Sequence, residues 1–587
     1  MRLLPMYYAA TVLLPVCIAA PNCPPLGPVF PKPSSQTFLS SPAIQAAVAN
    51  LTATFTARDA DNSTGAYSTS YSIEVWSASD APGTTIFSWH HTAPNLTTAS
   101  FNASGVRKVD QNTVYRLGSL TKIFTIYTWL VQDGDTRWNE PITKYIPELA
   151  AVADRAKDDP VGNVDWGEVT IGALASQMAG VVRDYGLLGE LTQEMNQTQV
   201  VSYGFPPLND SDPTLPKCGE WPQCNRTEFF NGLLQVVPSY APFTTPAYAN
   251  TAFQILGYAL ESIKGKSFRS MMEDSVLKPL GLNHTYYASP PDSVGIIPGN
   301  AKESGWAYQL GDESPAGNMY SSVADISALG RSILKSTLLR PAQTRRWLKP
   351  AALTSEPVAG VGYPWGVRRI TLPEANGKRT ADAYNKAGRV GYYGSLLNLL
   401  PDWDVGFSIV IGGPSIPGNM NFNLADIVGE QLVPAFEAAA RENADATYAG
   451  TYRDEAANSS MRVTTQPDRP GLGIEQWVSN GTDMAYVAVA LQGQYTPVQP
   501  TIRLYPTGLE TTRPDGSKRV AFKATFEDLQ APARPNSMFS TDCGTWVGLT
   551  AVTYGSMPLD QFAFEMDANG KVVSIEPIAL RANLWKV

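Results

Sequence analysis

The period of the apolar residues changes once along this chain, near residue 443, and that change sets what the chain can fold into. Downstream, Val520, Phe522, Ala524 and Phe526 alternate, as do Phe562, Phe564 and Met566. Asn569-Gly570 then precedes Val572–Ile575, the signature of a tight hairpin. Helical periodicity is nearly absent there, so 446–587 reads as a smaller antiparallel β domain, barrel-like in character. Upstream, helical and strand signals mix. Short β-branched and aromatic runs at 71–76 and 86–90 predict paired strands, and strands return at 395–400 and 405–411. A helix is expected from Ser119 to Gly134. Another starts after Asn250, where Phe253, Leu256, Leu260 and Ile263 recur until Gly265. The 196–246 stretch, rich in Pro, Asp and Cys, reads as an inserted loop with one short helix around 229–236. Six prolines between 20 and 40 predict an extended N-terminal arm.

Targeting signals precede all of this. Arg2, a short apolar run through Leu13, Leu14 and Val16, and small residues Ala19 and Ala20 have the layout of a secretory signal peptide, 1–19. No later stretch approaches the roughly 18 apolar residues of a membrane span. Ten N-x-Ser/Thr sequons suit an exported, glycosylated protein: Asn50, Asn62, Asn95, Asn102, Asn196, Asn209, Asn225, Asn283, Asn458 and Asn480. Removal of the leader would leave Cys23, Cys218, Cys224 and Cys543, an even set that allows three pairings. The short spacing favours Cys218–Cys224, and Cys23–Cys543 follows by elimination. An extracellular location is the expectation.

Composition narrows the chemistry. With 44 Lys and Arg against 53 Asp and Glu, the net charge of −9 offers nucleic acid no basic surface. Only His90, His91 and His284 exist, and adjacent residues of a strand face opposite ways, which argues against a zinc hydrolase. A histidine-assisted nucleophile is equally short of candidates. Tyr115-Arg-Leu-Gly-Ser-Leu-Thr-Lys122 supplies a different one: Ser119 and Lys122, three apart at a helix start, share one face. A serine needs a neighbouring base to become a nucleophile, and here lysine or tyrosine must be that base. Tyr248-Ala-Asn250 and Lys386-Ala-Gly388 complete a set whose members are weak singly; Ser332-Ile-Leu-Lys335 has the same spacing and reads as an ordinary helix.

In that order and setting, the three elements resemble the serine β-lactamase and penicillin-binding-protein superfamily, closest to class C β-lactamases and their esterase and D-aminopeptidase relatives. Trp138–Leu149, Ser314–Ser322 and Lys386–Ser395 extend the likeness. The C-terminal part resembles the domain appended in secreted fungal β-lactamase-like proteins. The resemblance implies an α/β (α+β) fold: an antiparallel sheet flanked by helices with an all-helical subregion over 41–445, plus the β domain. It implies Ser119 as the acyl-accepting nucleophile, Lys122 assisting its deprotonation, Tyr248 as general base between Lys122 and Lys386, and Asn250 orienting Lys122. The oxyanion and substrate would meet the backbone of Ser119, Gly388 and Arg389. No metal or cofactor is required. Ala387 departs from the family's K-T-G by lacking a hydroxyl, and Gln177-Met-Ala-Gly180 departs from its H-T-S-G; the latter reads as structural. The expected activity is hydrolysis of a small ester, amide or short peptide, with an acyltransferase or tailoring hydrolase, or a non-catalytic binding protein, as alternatives.

Overall fold

The computed structural model describes residues 23–587 apart from 82, 99–103, 220–221, 415, 417, 494–495, 532–537 and 539–542. The expected signal peptide and Asn102 lie outside the described residues. The chain divides into two compact units, one comprising 47–370 with 382–431 and the other 432–587 with 371–381 and the N-terminal residues to 46.

The larger unit is built on an eight-stranded antiparallel sheet. In chain order its strands are β1 (Ser70–Ser77), β2 (Phe87–His91), β3 (Ala352–Leu353), β4 (Ala359–Val361), β5 (Gly366–Thr371), β6 (Thr380–Val390), β7 (Tyr393–Leu400) and β8 (Val405–Gly412). They lie in the order β2-β1-β8-β7-β6-β5-β4-β3. Every residue of β1, β7 and β8 is buried. A strand covered on both faces gains from apolar residues at consecutive positions, and Ile409-Val-Ile411 and Leu396-Leu397 follow that rule. Helix α3 (Val323–Leu334) packs across β8, β1 and β7. Away from the sheet lies a helical region in which α1 (Thr121–Gln132) and α2 (Thr251–Lys264) pack on each other and on short helices Ile171–Ala175 and Phe268–Met272. Ten consecutive residues of α1, Thr121 to Leu130, are buried. Helix α2 ends where expected, Gly265 taking the left-handed conformation at φ 66°.

The insertion holds two short helices where one was expected, Gln197–Ser202 and Arg226–Leu233, the latter being the one anticipated around 229–236. Asn196 and Asn225 each begin a helix with a reciprocal capping box. Cys218 and Cys224 are disulfide-bonded. Adjacent histidines do diverge: His91 meets Asp59 at 3.0 Å and the Ala66 carbonyl at 2.7 Å, while His90 meets Ser72 Oγ at 3.0 Å.

The second unit contains a nine-stranded sheet: β9 (Gly450–Asp454), β10 (Ser459–Gln466), β11 (Arg469–Ser479), β12 (Thr482–Asp483), β13 (Pro500–Thr512), β14 (Lys518–Asp528), β15 (Gln561–Met566), β16 (Val572–Pro577) and β17 (Leu584–Lys586). Its order is β10-β9-β17-β16-β15-β14-β13-β11-β12, and β10 also pairs with β11. That extra pairing closes eight of the strands into a barrel, with β12 appended to β11. Alternation holds, and the inward rings of Phe522, Phe562, Phe564, Trp477, Tyr448 and Tyr452 pack edge to face at 4.9–6.0 Å. The Asn569-Gly570 turn joins β15 to β16.

Two local expectations for this unit are corrected. The N-terminal arm is not extended throughout, because Ser35–Ser40 forms a helix as soon as the prolines end, with Ser34 Oγ accepting from Thr37 N–H. Helical structure is not absent after 443 either. Met484–Gly493 forms α4 against β11, β13 and β14. Its sequence, Met-Ala-Tyr-Val-Ala-Val-Ala-Leu-Gln-Gly, is apolar on every side and therefore shows no 3.6-residue period. Asp483 Oδ1 caps it by accepting from Ala485 N–H at 3.0 Å.

Cys23 and Cys543 are disulfide-bonded in this unit. It also holds a buried ion pair: Arg379 donates through Nε and Nη2 to both oxygens of Glu437 at 2.9 Å, the side chains being 1% and 4% exposed. Glu437→Ala would remove the carboxylate that takes both of these N–H groups of a buried guanidinium, and a loss of about 3–5 kcal/mol is expected, read as a lower urea midpoint at unchanged slope.

Candidate active site

Ser119 lies in a single 3-10 turn, Gly118–Leu120, that runs directly into α1. The turn is pressed against the end of β6. A Cβ on Gly118, whose φ is 53°, would stand 2.6 Å from Arg389 N, and one on Gly388 would stand 1.9 Å from the Leu117 carbonyl and 2.8 Å from Ser119 N. Ser395 Oγ on β7 donates to the same Leu117 carbonyl at 2.6 Å. Glycine at 118 and 388 thus lets two backbones meet without side chains between them. The backbone of Ser119 comes beside that of Gly388 and Arg389.

One turn into α1, Lys122 is completely buried. Its Nζ donates to Asn250 Oδ1 at 2.5 Å and to the Ala316 carbonyl at 2.8 Å, and stands 3.2 Å from Ser119 Oγ. Ser119 Oγ and Tyr248 OH are 2.5 Å apart. Cations surround the phenol ring: Lys122 Nζ at 4.9 Å, Lys386 Nζ at 5.5 Å and the Arg183 guanidinium at 4.8 Å from its centroid. Ser119, Lys122, Tyr248, Asn250 and Lys386, from sequence positions 267 apart at the extremes, therefore share one place. By contrast Ser332 is buried on α3 against Tyr127 OH and Lys335 is exposed, so the second Ser-x-x-Lys is helix and nothing more.

The segment Gln177–Asp184 holds Tyr248 and Asn250 there. Gln177 Oε1 accepts from Ala249 N–H at 2.6 Å and the Gln177 carbonyl from Ala247 N–H at 2.9 Å. The Arg183 carbonyl accepts from Asn250 N–H at 2.8 Å. Asn250 stands at the N-cap of α2 but makes no side-chain cap bond. Such a bond is ordinarily worth ~1 kcal/mol; here the amide is diverted to Lys122 and, through Nδ2, to Asp184 Oδ1 at 2.8 Å.

Burial sets the charges. It drives the Lys122 ammonium down to about 7, against the opposing pull of Glu313 and Asp184. Lys386, equally enclosed, falls to about 8 for the same reason, Tyr248 opposing the shift. Burial also raises the Glu313 carboxyl, helped by the charge of Asp184, and raises that of Asp184. Beside these groups opens a cavity of about 300 Å³. Its lining includes Ser119, Arg183, Tyr248 and Lys386, the 387–389 stretch of β6, and the apolar side chains of Ile411, Ile416 and Phe422. Among the described residues none from 196–246 lines it. Arg183, Asp184, Glu313 and the Ala316 carbonyl carried no motif; only the 314–322 turn had been marked, by likeness.

The beta-lactamase family profile matches residues 75–421, which hold Ser119, Lys122, Tyr248, Asn250 and Lys386. The chain belongs to the beta-lactamase family. Residues 440–587 match a second family, described as a beta-lactamase-like C-terminal domain. A beta-lactamase-like protein of Arthroderma benhamiae is 27% identical over 98% of this chain and 97% of its own. A probable hydrolase, M10, of a Phoma species is 27% identical over 87% of this chain and 83% of its own. Among solved structures, a class C beta-lactamase aligns at 17% identity with a TM-score of 0.45, covering 66% of this chain and 96% of that one. This is a hydrolase superfamily.

Gly388→Ala is the sharpest test of the backbone contact. The added methyl must part β6 from the serine turn, and a loss of about 1–3 kcal/mol is expected, seen as a lower urea midpoint.

Proposed function

We propose that this beta-lactamase family member is a secreted serine hydrolase that cleaves an ester or amide, in a small molecule or short peptide, through an acyl-serine intermediate. The observation that carries the reading is the company of Ser119 Oγ: a phenol oxygen at 2.5 Å and an amine at 3.2 Å whose burial lowers it to about 7, so that a large share is free base near neutral pH. A hydroxyl between two such groups has somewhere to send its proton.

In the reaction, Ser119 Oγ forms a bond to the substrate carbonyl carbon as its proton passes to the Tyr248–Lys122 couple, Tyr248 acting as general base and Lys122 assisting. The developing oxyanion is received by the N–H groups of Ser119 and Arg389, with Gly388 keeping the two backbones close; one such donor contributes on the order of 3 kcal/mol. The bond to the alcohol or amine then breaks, and the leaving group collects the proton from Tyr248. Water repeats the sequence on the acyl-enzyme and frees Ser119. Lys386, as ammonium beside the Tyr248 ring, stabilises negative charge on the phenol oxygen. Ala387 presents a methyl to the substrate, which suits an ester or amide without a group needing a hydroxyl there.

Export is supported by the leader-like N-terminus, the two disulfides and the placement of sequons. Asn50, Asn62, Asn196, Asn209, Asn225, Asn283, Asn458 and Asn480 are exposed, and Asn95 is half-buried. Among the described residues no helix is long and apolar enough to cross a membrane. Glycosidase treatment of protein from a eukaryotic host should lower its mass by several N-glycans; an unchanged mass would count against the export reading.

A fluorophosphonate should label wild type and leave Ser119→Ala unlabelled. Tyr248→Phe should slow turnover of a p-nitrophenyl ester by roughly 10²–10⁴. The kcat/KM profile should be a bell. It rises as pH passes about 7, where Lys122 becomes free amine, and falls as pH passes about 8, where Lys386 loses its charge. A profile flat from pH 6 to 9 would remove both lysines from the mechanism.

A further inference from the structure

Two buried carboxyls, Asp184 and Glu313, adjoin this site, and the acyl-serine chemistry as described does not use them. Asp184 is 4% exposed; its Oδ1 accepts from Asn250 Nδ2 and its Oδ2 lies 3.3 Å from Arg183 Nε. Glu313, just before the Ser314–Gly317 helix that carries the Ala316 carbonyl, has its carboxyl against that of Asp184. We propose that Asp184, supported by Glu313, is the positioning residue of the site: by holding Asn250 Nδ2 it turns Asn250 Oδ1 toward Lys122 and so aims the amine's lone pair at Ser119. The inference rests on the acyl-serine reading.

The argument is one of donors and acceptors. A neutral lysine amine has two N–H donors and one lone pair. The Ala316 carbonyl and Asn250 Oδ1 can only accept, so they take both N–H groups. The lone pair is left for the remaining neighbour, Ser119 Oγ at 3.2 Å. Were the Asn250 amide reversed, its NH2 would face Lys122 and occupy that lone pair, and one N–H of the amine would turn to Ser119 instead. The serine would then meet a donor where it needs an acceptor. An ionised carboxylate cannot donate, so Asp184 excludes the reversed amide.

This requires Asp184 to keep its charge. Burial and the neighbouring Asp184 charge push the Glu313 carboxyl up, so the proton of the pair resides on Glu313. Asp184 is further held by Asn250, Arg183 and Lys122. Asp184 faces Lys122 and favours its ammonium form, Glu313 does so only once ionised, and Arg183 and Lys386 oppose it. The absent N-cap bond of Asn250 fits the same picture, since an amide clamped between Lys122 and Asp184 is not free to cap.

The experiment follows the rate of fluorophosphonate labelling at Ser119 across pH in the full-length protein. Asp184→Asn keeps shape and removes charge, but its amide can either donate or accept. It should lower the plateau rate on the order of 10²-fold. Loss of the Asp184 charge also lets Glu313 ionise, so the acid limb is read in Asp184→Asn/Glu313→Gln, where neither carboxylate favours the Lys122 ammonium and the limb should move to lower pH. Lost packing alone would lower the plateau and leave the limb in place. A folded double variant with a plateau loss but no shifted limb, or a shifted limb at full plateau, overturns the proposal, as does a folded Asp184→Asn that labels at the full rate. Wild type unlabelled at Ser119 overturns the acyl-serine reading itself.

Discussion

Enclosing a lysine amine in a protein interior is unfavourable unless the charge is given up or every proton finds an acceptor. Lys122 is placed between those two solutions. Fully buried beneath the serine turn, it is pushed down to about 7, yet it retains a carbonyl and an amide oxygen as partners for its N–H groups. Much of the surrounding fold follows from keeping that amine dry and partnered. Helix α1 brings it under Ser119, the 314–317 turn brings the Ala316 carbonyl to it, and the start of α2 brings the Asn250 amide. Asn250 leaves its helix uncapped in doing so, a local rule broken where the chemistry is.

The second constraint is close backbone approach. Two chain segments far apart in sequence, 117–120 and the 388–395 hairpin, come into contact through main chain and one serine hydroxyl. Only glycine at 118 and 388 tolerates this, which is why the backbones of Ser119 and Arg389, the oxyanion donors of the proposed reaction, are spaced by main-chain geometry and not by side-chain rotamers. Donors held that way need little reorganisation as charge develops, and preorganisation is the larger part of what such a site can offer.

Much of this was legible in the sequence. Ser119 and Lys122 three apart at a helix start must share a face, and the 3-10 turn running into α1 delivers them so; the α2 stop at Gly265 and the strands flanking Asn569-Gly570 also follow from local rules. What local rules did not show depends on contacts across many residues. Asp184 meets Asn250 across 66 positions and belongs to no recognised motif. The Gln177 segment read as structural, and it is structural in the specific sense of fixing the Tyr248–Asn250 turn. Helix α4 escapes notice because an all-apolar run has no period to detect, and the helix at Ser35 because the prolines before it dominate the reading. Spatial assembly of the five candidate residues was an inference from likeness; their separation in sequence carries no such information.

The pairing of β10 with β11 in the C-terminal unit has a consequence of its own. An open sheet of this size would leave long margins of unsatisfied N–H and C=O groups, which can template strand addition by a second chain. Closing the ring removes those margins from all eight strands. What is left at the rim is the two-residue strand Thr482–Asp483, too short and too charged to guide further pairing, so the appended barrel has a built-in resistance to growing into larger β assemblies.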